Sequence, residues 1–167
     1  FTHYIVKDIT DIIRFSFNPA SGDLFQNLYY KFSCGLRKDI VTAALKLYSK
    51  APTIPILEIL LKNGGLEQRV KDRVKALQTH LTNMKDGTSF SAVNRIVNFM
   101  GYGDYLRSRH ADTTKVNILL ALANQNPQLN DYLNRIDELN GIINNGGSAD
   151  QCNFILSTIH SSKGLEY

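Results

Sequence analysis

A chain of 167 residues with 43% hydrophobic content fits one domain with a real core, and it holds no apolar run long enough to cross a bilayer. The four histidines are scattered and the two cysteines, Cys34 and Cys152, lie far apart; this argues against a metal site or a disulfide framework and suits a reducing cytoplasm. A net charge of +4 is modestly basic, compatible with nucleic acid without specifying it.

Ile5-Val6, Ile9, Ile12-Ile13 and Phe15 recur at helical spacing, and Asn18-Pro19 ends that helix. Ser21 or Asp23 is placed to cap a second helix carrying Leu24, Phe25, Leu28 and Tyr29. The segment Lys31 to Asp39 then holds a turn at Gly35 and the basic pair Arg37-Lys38. Ile40-Val41, Ala44-Leu45 and Leu47-Tyr48 follow on one face of a third helix. Free N–H groups and the dipole at such a helix start favour an anion, which makes Gly35, Arg37 and Lys38 a candidate phosphate contact. Thr53 and Pro55 open a fourth helix that Asn63-Gly64-Gly65 stops.

Leu66 to Met84 is the longest expected helix, and its Arg69, Lys71, Arg73 and Lys75 read as a solvated face. Ser89 or Ser91 caps the next helix, and Gly101-Tyr102-Gly103 is expected to turn the chain into Tyr105-Leu106. Asp112 or Thr113 starts a further helix that ends at Asn126-Pro127, and the last runs from about Leu129 to Ile143. Asp137-Glu138 sits in that amphipathic helix rather than after an apolar strand, so it reads as solvated surface and not as a metal-binding acid pair. The expected fold is mainly α: a bundle of roughly eight helices over residues 1–150, with one C-terminal strand in 151–167.

That strand, Asn153 to Ile159, is β-branched and apolar and follows the turn cluster 144–148. It runs into a loop holding Thr158, His160, Lys163, Gly164 and Glu166. Lys163 follows Ser162 rather than glycine and the chain has no GxxxxGK, so this is not a stand-alone phosphate cradle. Thr158-Ile-His160-Ser-Ser-Lys163-Gly164-Leu165-Glu166-Tyr167 instead resembles motif V of the superfamily 1 DNA helicases of the UvrD/Rep/PcrA type, T-x-H-x-x-K-G-L-E followed by an aromatic.

The resemblance implies an order of parts. In those helicases a helical insertion, the 2B subdomain, interrupts the second RecA-like motor domain and returns to it just before motif V. A helical chain that opens on Phe1 and stops after motif V is then expected to be that insertion with both ends cut. Thr158 and His160 would lie at the single-strand track, with Gly164 and Glu166 on the nucleotide side and Lys163 in the turn between them. The segment around Gly35 is similar to the family's Gly-Ile-Gly turn that meets a duplex phosphate, with Arg37 in place of the second glycine. The implied function is ATP-dependent unwinding with 3′-to-5′ polarity. ATP and Mg2+ would be held by the rest of the motor, so this chain by itself is expected to bind neither. Implied partners are single-stranded and duplex DNA and the remaining motor domains, with no membrane. The alternative is a helical protein–protein interaction module of a helicase-like subunit without motor activity.

Overall fold

Ile5, Ile9, Ile12 and Ile13 form one apolar stripe along α1 (Tyr4–Phe17), and all four are completely removed from water. Each such side chain contributes roughly 1.5–3 kcal/mol of burial. The computed structural model describes residues 3–49, 52–63 and 65–144, which are mainly helical, and four of the other helices pack against α1. The His3 imidazole accepts from the Ile5 N–H at its start, and the Asn18 N–H returns to the Arg14 carbonyl at its end. Ser21 caps α2 (Gly22–Leu28) by accepting from the Leu24 N–H, and one 3-10 turn over Tyr29–Lys31 follows.

The succession continues with α3 (Lys38–Tyr48), α4 (Ile56–Asn63), α5 (Gln68–Met84), α6 (Ser89–Phe99), α7 (Tyr102–Ser108), α8 (Thr114–Gln125) and α9 (Leu129–Asn144). Helices α2, α5, α6 and α8 contact α1 directly, α3 lies on α4, and α6 on α8. One nitrogen of Arg14, Nη2, donates to both Asp137 oxygens at 2.7 and 3.0 Å and links α9 to α1. Asp137 is therefore surface-exposed, as its position in an amphipathic helix predicts, but it also holds two helices together.

Three local expectations need correction. The cap of α6 is Thr88, whose hydroxyl accepts from the Ser91 N–H at 3.2 Å. Ser89 is instead buried, and both its N–H and its hydroxyl donate to the Pro127 carbonyl, tying α6 to the α8–α9 connection. The Gly101-Tyr-Gly segment does more than turn the chain: Gly101 takes the left-handed conformation (φ 89°) and Tyr102 and Gly103 form the first turn of α7. The longest helix begins at Gln68, two residues later than its apolar pattern suggests, because Leu66 is buried in the approach to it. The terminal strand, the boundary at residue 150 and the motif V loop all lie outside the described residues. Among the described residues no helix is long and apolar enough to cross a membrane.

Candidate nucleic-acid interface

The turn before α3 is built on two buried anchors, Phe32 and Cys34. The Cys34 N–H bonds the Phe32 carbonyl at 2.7 Å, and its thiol donates to the Arg73 carbonyl of α5 at 3.7 Å. Burial pushes that thiol up to about 11 against a weaker pull from the Arg73 charge, so Cys34 is a neutral packing residue and not a nucleophile. Gly35 then adopts φ +73°, a left-handed conformation that an L side chain enters at a cost. The reversal aims the chain into α3.

Arg37 is the N-cap residue of α3, extended at φ −80° and ψ 146°, and it makes no side-chain capping bond. The cap position therefore gives the first turn no side-chain oxygen of the kind serines and threonines supply elsewhere, and the Asp39 carboxylate draws on the Asp39 and Ile40 N–H groups instead. The Arg37 fork instead reaches Asp39, with Nε–Oδ1 at 3.1 Å and Nη2–Oδ2 at 2.6 Å. That hydrogen bond is the main reason the Asp39 carboxyl sits below its usual range. Asp39 also complements the positive end of the helix dipole. A phosphate arriving here competes with Asp39 for the Arg37 fork, and both side chains are open enough to rearrange. Lys38 is exposed and has no acidic partner among the described residues.

A third cation joins them from far along the sequence. Arg73 donates from Nη1 to the Ser33 carbonyl at 3.3 Å, and a Cβ placed on Gly35 would stand 3.9 Å from that same nitrogen. Its neighbours in sequence read it as part of a solvated stripe; tertiary packing sets it against the Gly35 turn. The structure thus sets Arg73 beside the Gly35 turn that leads into Arg37 and Lys38. Thr158, His160, Lys163, Gly164 and Glu166 lie outside the described residues.

A second polar cluster has no signal in the sequence. Asp8 and Lys31 are both buried and pair at 2.6 Å, while the Tyr102 hydroxyl donates to the other Asp8 oxygen at 3.0 Å. Burial, then the Asp8 charge, raises the Tyr102 hydroxyl far above its ordinary range, so it stays a donor at every physiological pH. Lys7-Asp8 reads locally as a charged helix face; only the fold reveals that α1 turns Asp8 inward toward the 3-10 turn and α7. Among the described residues no group of three or more His, Cys, Asp or Glu side chains is disposed to hold a metal ion.

Comparison with protein-family models, with curated proteins and with solved structures finds no match for this chain.

Proposed function

We propose that this chain supplies the 2B subdomain and the motif V loop of an ATP-dependent DNA helicase resembling the UvrD/Rep/PcrA type. The observation that carries the proposal is the spaced string Thr158, His160, Lys163, Gly164, Leu165 and Glu166, followed by Tyr167 and preceded by an apolar strand-like run. A helical body upstream of that string fits the order of parts, and the cation cluster at α3 fits a duplex-contacting turn. The ATP phosphates and Mg2+ would be held by other parts of the motor.

In this reading His160 offers a donor to a DNA phosphate and Glu166 a carboxylate to a ribose hydroxyl. They sit six residues apart in sequence, and the Lys163-Gly164 turn aims them at different ligands. A loop whose conformation both ligands bias is what couples hydrolysis to stepping. In a helicase containing this chain, Glu166→Ala should mainly raise the KM for ATP, and His160→Ala should mainly reduce stimulation by single-stranded DNA. Removing either charge-assisted bond corresponds to about a ten- to hundredfold effect on its own ligand. Steady-state ATPase titrations against ATP and against DNA decide the matter; parallel defects in both would defeat the assigned roles.

The α3 cluster makes a separate expectation. Arg37→Ala with Lys38→Ala should weaken duplex binding alike for all sequences, and the slope of log K against log salt should fall by about 0.9 for every phosphate no longer neutralised. An unchanged slope would place the duplex elsewhere. The protein–protein alternative calls for a continuous apolar stripe on one helix. On α6 the exposed Phe90 and Phe99 are nine residues apart, about half a turn out of phase, while α9 leaves the adjacent Ile142 and Ile143 exposed, so it is the basic residues at α3 that favour the DNA reading.

A further inference from the structure

Between the start of α1, the 3-10 turn and α7 lies a cleft of about 430 Å³ lined by Tyr4, Asp8, Tyr30, Lys31, Tyr105 and Arg109. We propose that it binds an unpaired nucleobase together with its phosphate, as part of a single-stranded nucleic acid. The inference is independent of the reading of α3 and of motif V, since it stands on the chemistry of this cleft alone.

The size lies within the range of about 300–1,000 Å³ typical of ligand sites. Two of its tyrosines are left open, Tyr4 at 43% and Tyr30 at 50% exposure, and the third, Tyr105, is half-buried. Their rings are held by aromatic neighbours: Tyr30 meets Tyr29 and Tyr105 edge-on at 5.5 and 6.0 Å, and Tyr105 stacks with Tyr102 at 5.8 Å. Rigid, partly exposed π-faces are what a base requires for stacking, and stacking accepts any base.

Charge decides between ligand classes. A set of tyrosines around a carboxylate could in principle cage an organic cation. Here the carboxylate is already spent, because Lys31 and Tyr102 occupy both Asp8 oxygens. The cation positions over the rings are filled as well: Lys31 Nζ lies 5.2 Å from the Tyr30 centroid and the Arg109 guanidinium 5.5 Å from that of Tyr105. A second cation would be repelled. What the cleft still offers is the exposed part of the Tyr4 and Tyr30 rings and the Arg109 guanidinium, which has no carboxylate partner among the described residues. A planar base with one phosphate matches both, the base on the rings and the phosphate on the guanidinium. One guanidinium without a carboxylate partner suits the single charge per nucleotide of a strand better than the several charges of a free nucleoside polyphosphate.

The test uses the full chain, which has no tryptophan and eight tyrosines, three of them in the cleft, so part of the tyrosine emission reports stacking there. An oligothymidylate of about 10 nucleotides should quench that emission, and Tyr30→Leu and Arg109→Gln should each weaken its binding, followed by anisotropy of a labelled strand, about 5- to 100-fold. Both positions face water, and thermal melting checks that each variant folds. Arg37→Ala with Lys38→Ala should weaken duplex binding far more than single-strand binding, whereas Arg109→Gln should do the reverse. A blunt duplex offers the cleft no unpaired base, so failure of the α3 reading leaves the quenching result untouched. Absence of quenching at saturation, or wild-type affinity in both cleft variants, overturns the assignment. So does thymidine monophosphate binding as tightly as the oligomer, which would make the site one for free nucleotides.

Discussion

Replacing Asp8 with alanine should lower the unfolding free energy by about 3–5 kcal/mol, the cost of leaving one member of a buried ion pair without its partner. Lys31 would then keep its ammonium inside the protein, with side-chain exposure of only 9%, and the Tyr102 hydroxyl would lose its acceptor. For a domain of this size the loss corresponds to a melting temperature lower by about 6–20 °C. Urea unfolding should show a shifted midpoint with an unchanged slope, the sign that stability and not compactness has altered. The triple replacement Asp8→Leu, Lys31→Met and Tyr102→Phe removes both charges and the hydroxyl that would otherwise be stranded, and should recover most of the loss, because apolar residues of similar volume substitute well for a buried ion pair. A loss below about 1 kcal/mol for Asp8→Ala would mean that the pair behaves as a surface bridge.

The same pair shows where sequence reading stops. Periodic apolar residues mark α1, α3, α5, α8 and α9 nearly to their ends, because each helix buries one stripe and the spacing of that stripe is a local property. The fate of a charge is not local. Asp8 next to Lys7 looks like an exposed face, and Arg73 within a run of cations looks like solvated surface, yet the fold buries the first and sets the second against the Gly35 turn. The cleft residues Tyr4, Tyr30, Tyr105 and Arg109 come from three elements and share no spacing that could announce them. Helix α7 is hidden for a related reason. Two glycines in three residues argue against a helix on propensity, and tertiary contacts outweigh that preference. A Cβ on Gly103 would lie 2.5 Å from the Val97 carbonyl oxygen, so the glycine is required by the close approach of α7 to α6.

Gly101 carries the second large expectation. An alanine there should destabilise the protein by about 2–5 kcal/mol, of which roughly 1–2 comes from forcing an L residue to positive φ and about 1–3 from overlap. The overlap is specific: the new Cβ would stand 2.3 Å from the Ser33 backbone nitrogen and 2.6 Å from its Cβ. A backbone nitrogen cannot rotate out of the way, so either the loop carrying Ser33 or the start of α7 must move. Gly65→Ala provides the comparison, since Gly65 also has positive φ (49°) but nothing among the described residues lies within 4 Å of its added Cβ. It should show only the conformational cost of roughly 1–2 kcal/mol. Equal losses in the two variants would mean that α7 and the Ser33 loop do not approach closely enough to exclude a methyl group. The position also lies between the two proposed binding surfaces. Ser33 lies two residues before Gly35 in sequence, and Tyr102, next to Gly101, reaches Asp8 at the floor of the cleft. Displacement at Gly101 should therefore weaken duplex binding at α3 and single-strand binding at the cleft together, whereas Arg37→Ala with Lys38→Ala and Arg109→Gln each affect mainly one. Duplex and single-strand affinities measured on the folded Gly101→Ala protein, below its melting transition, distinguish this shared hinge from a purely global loss of stability.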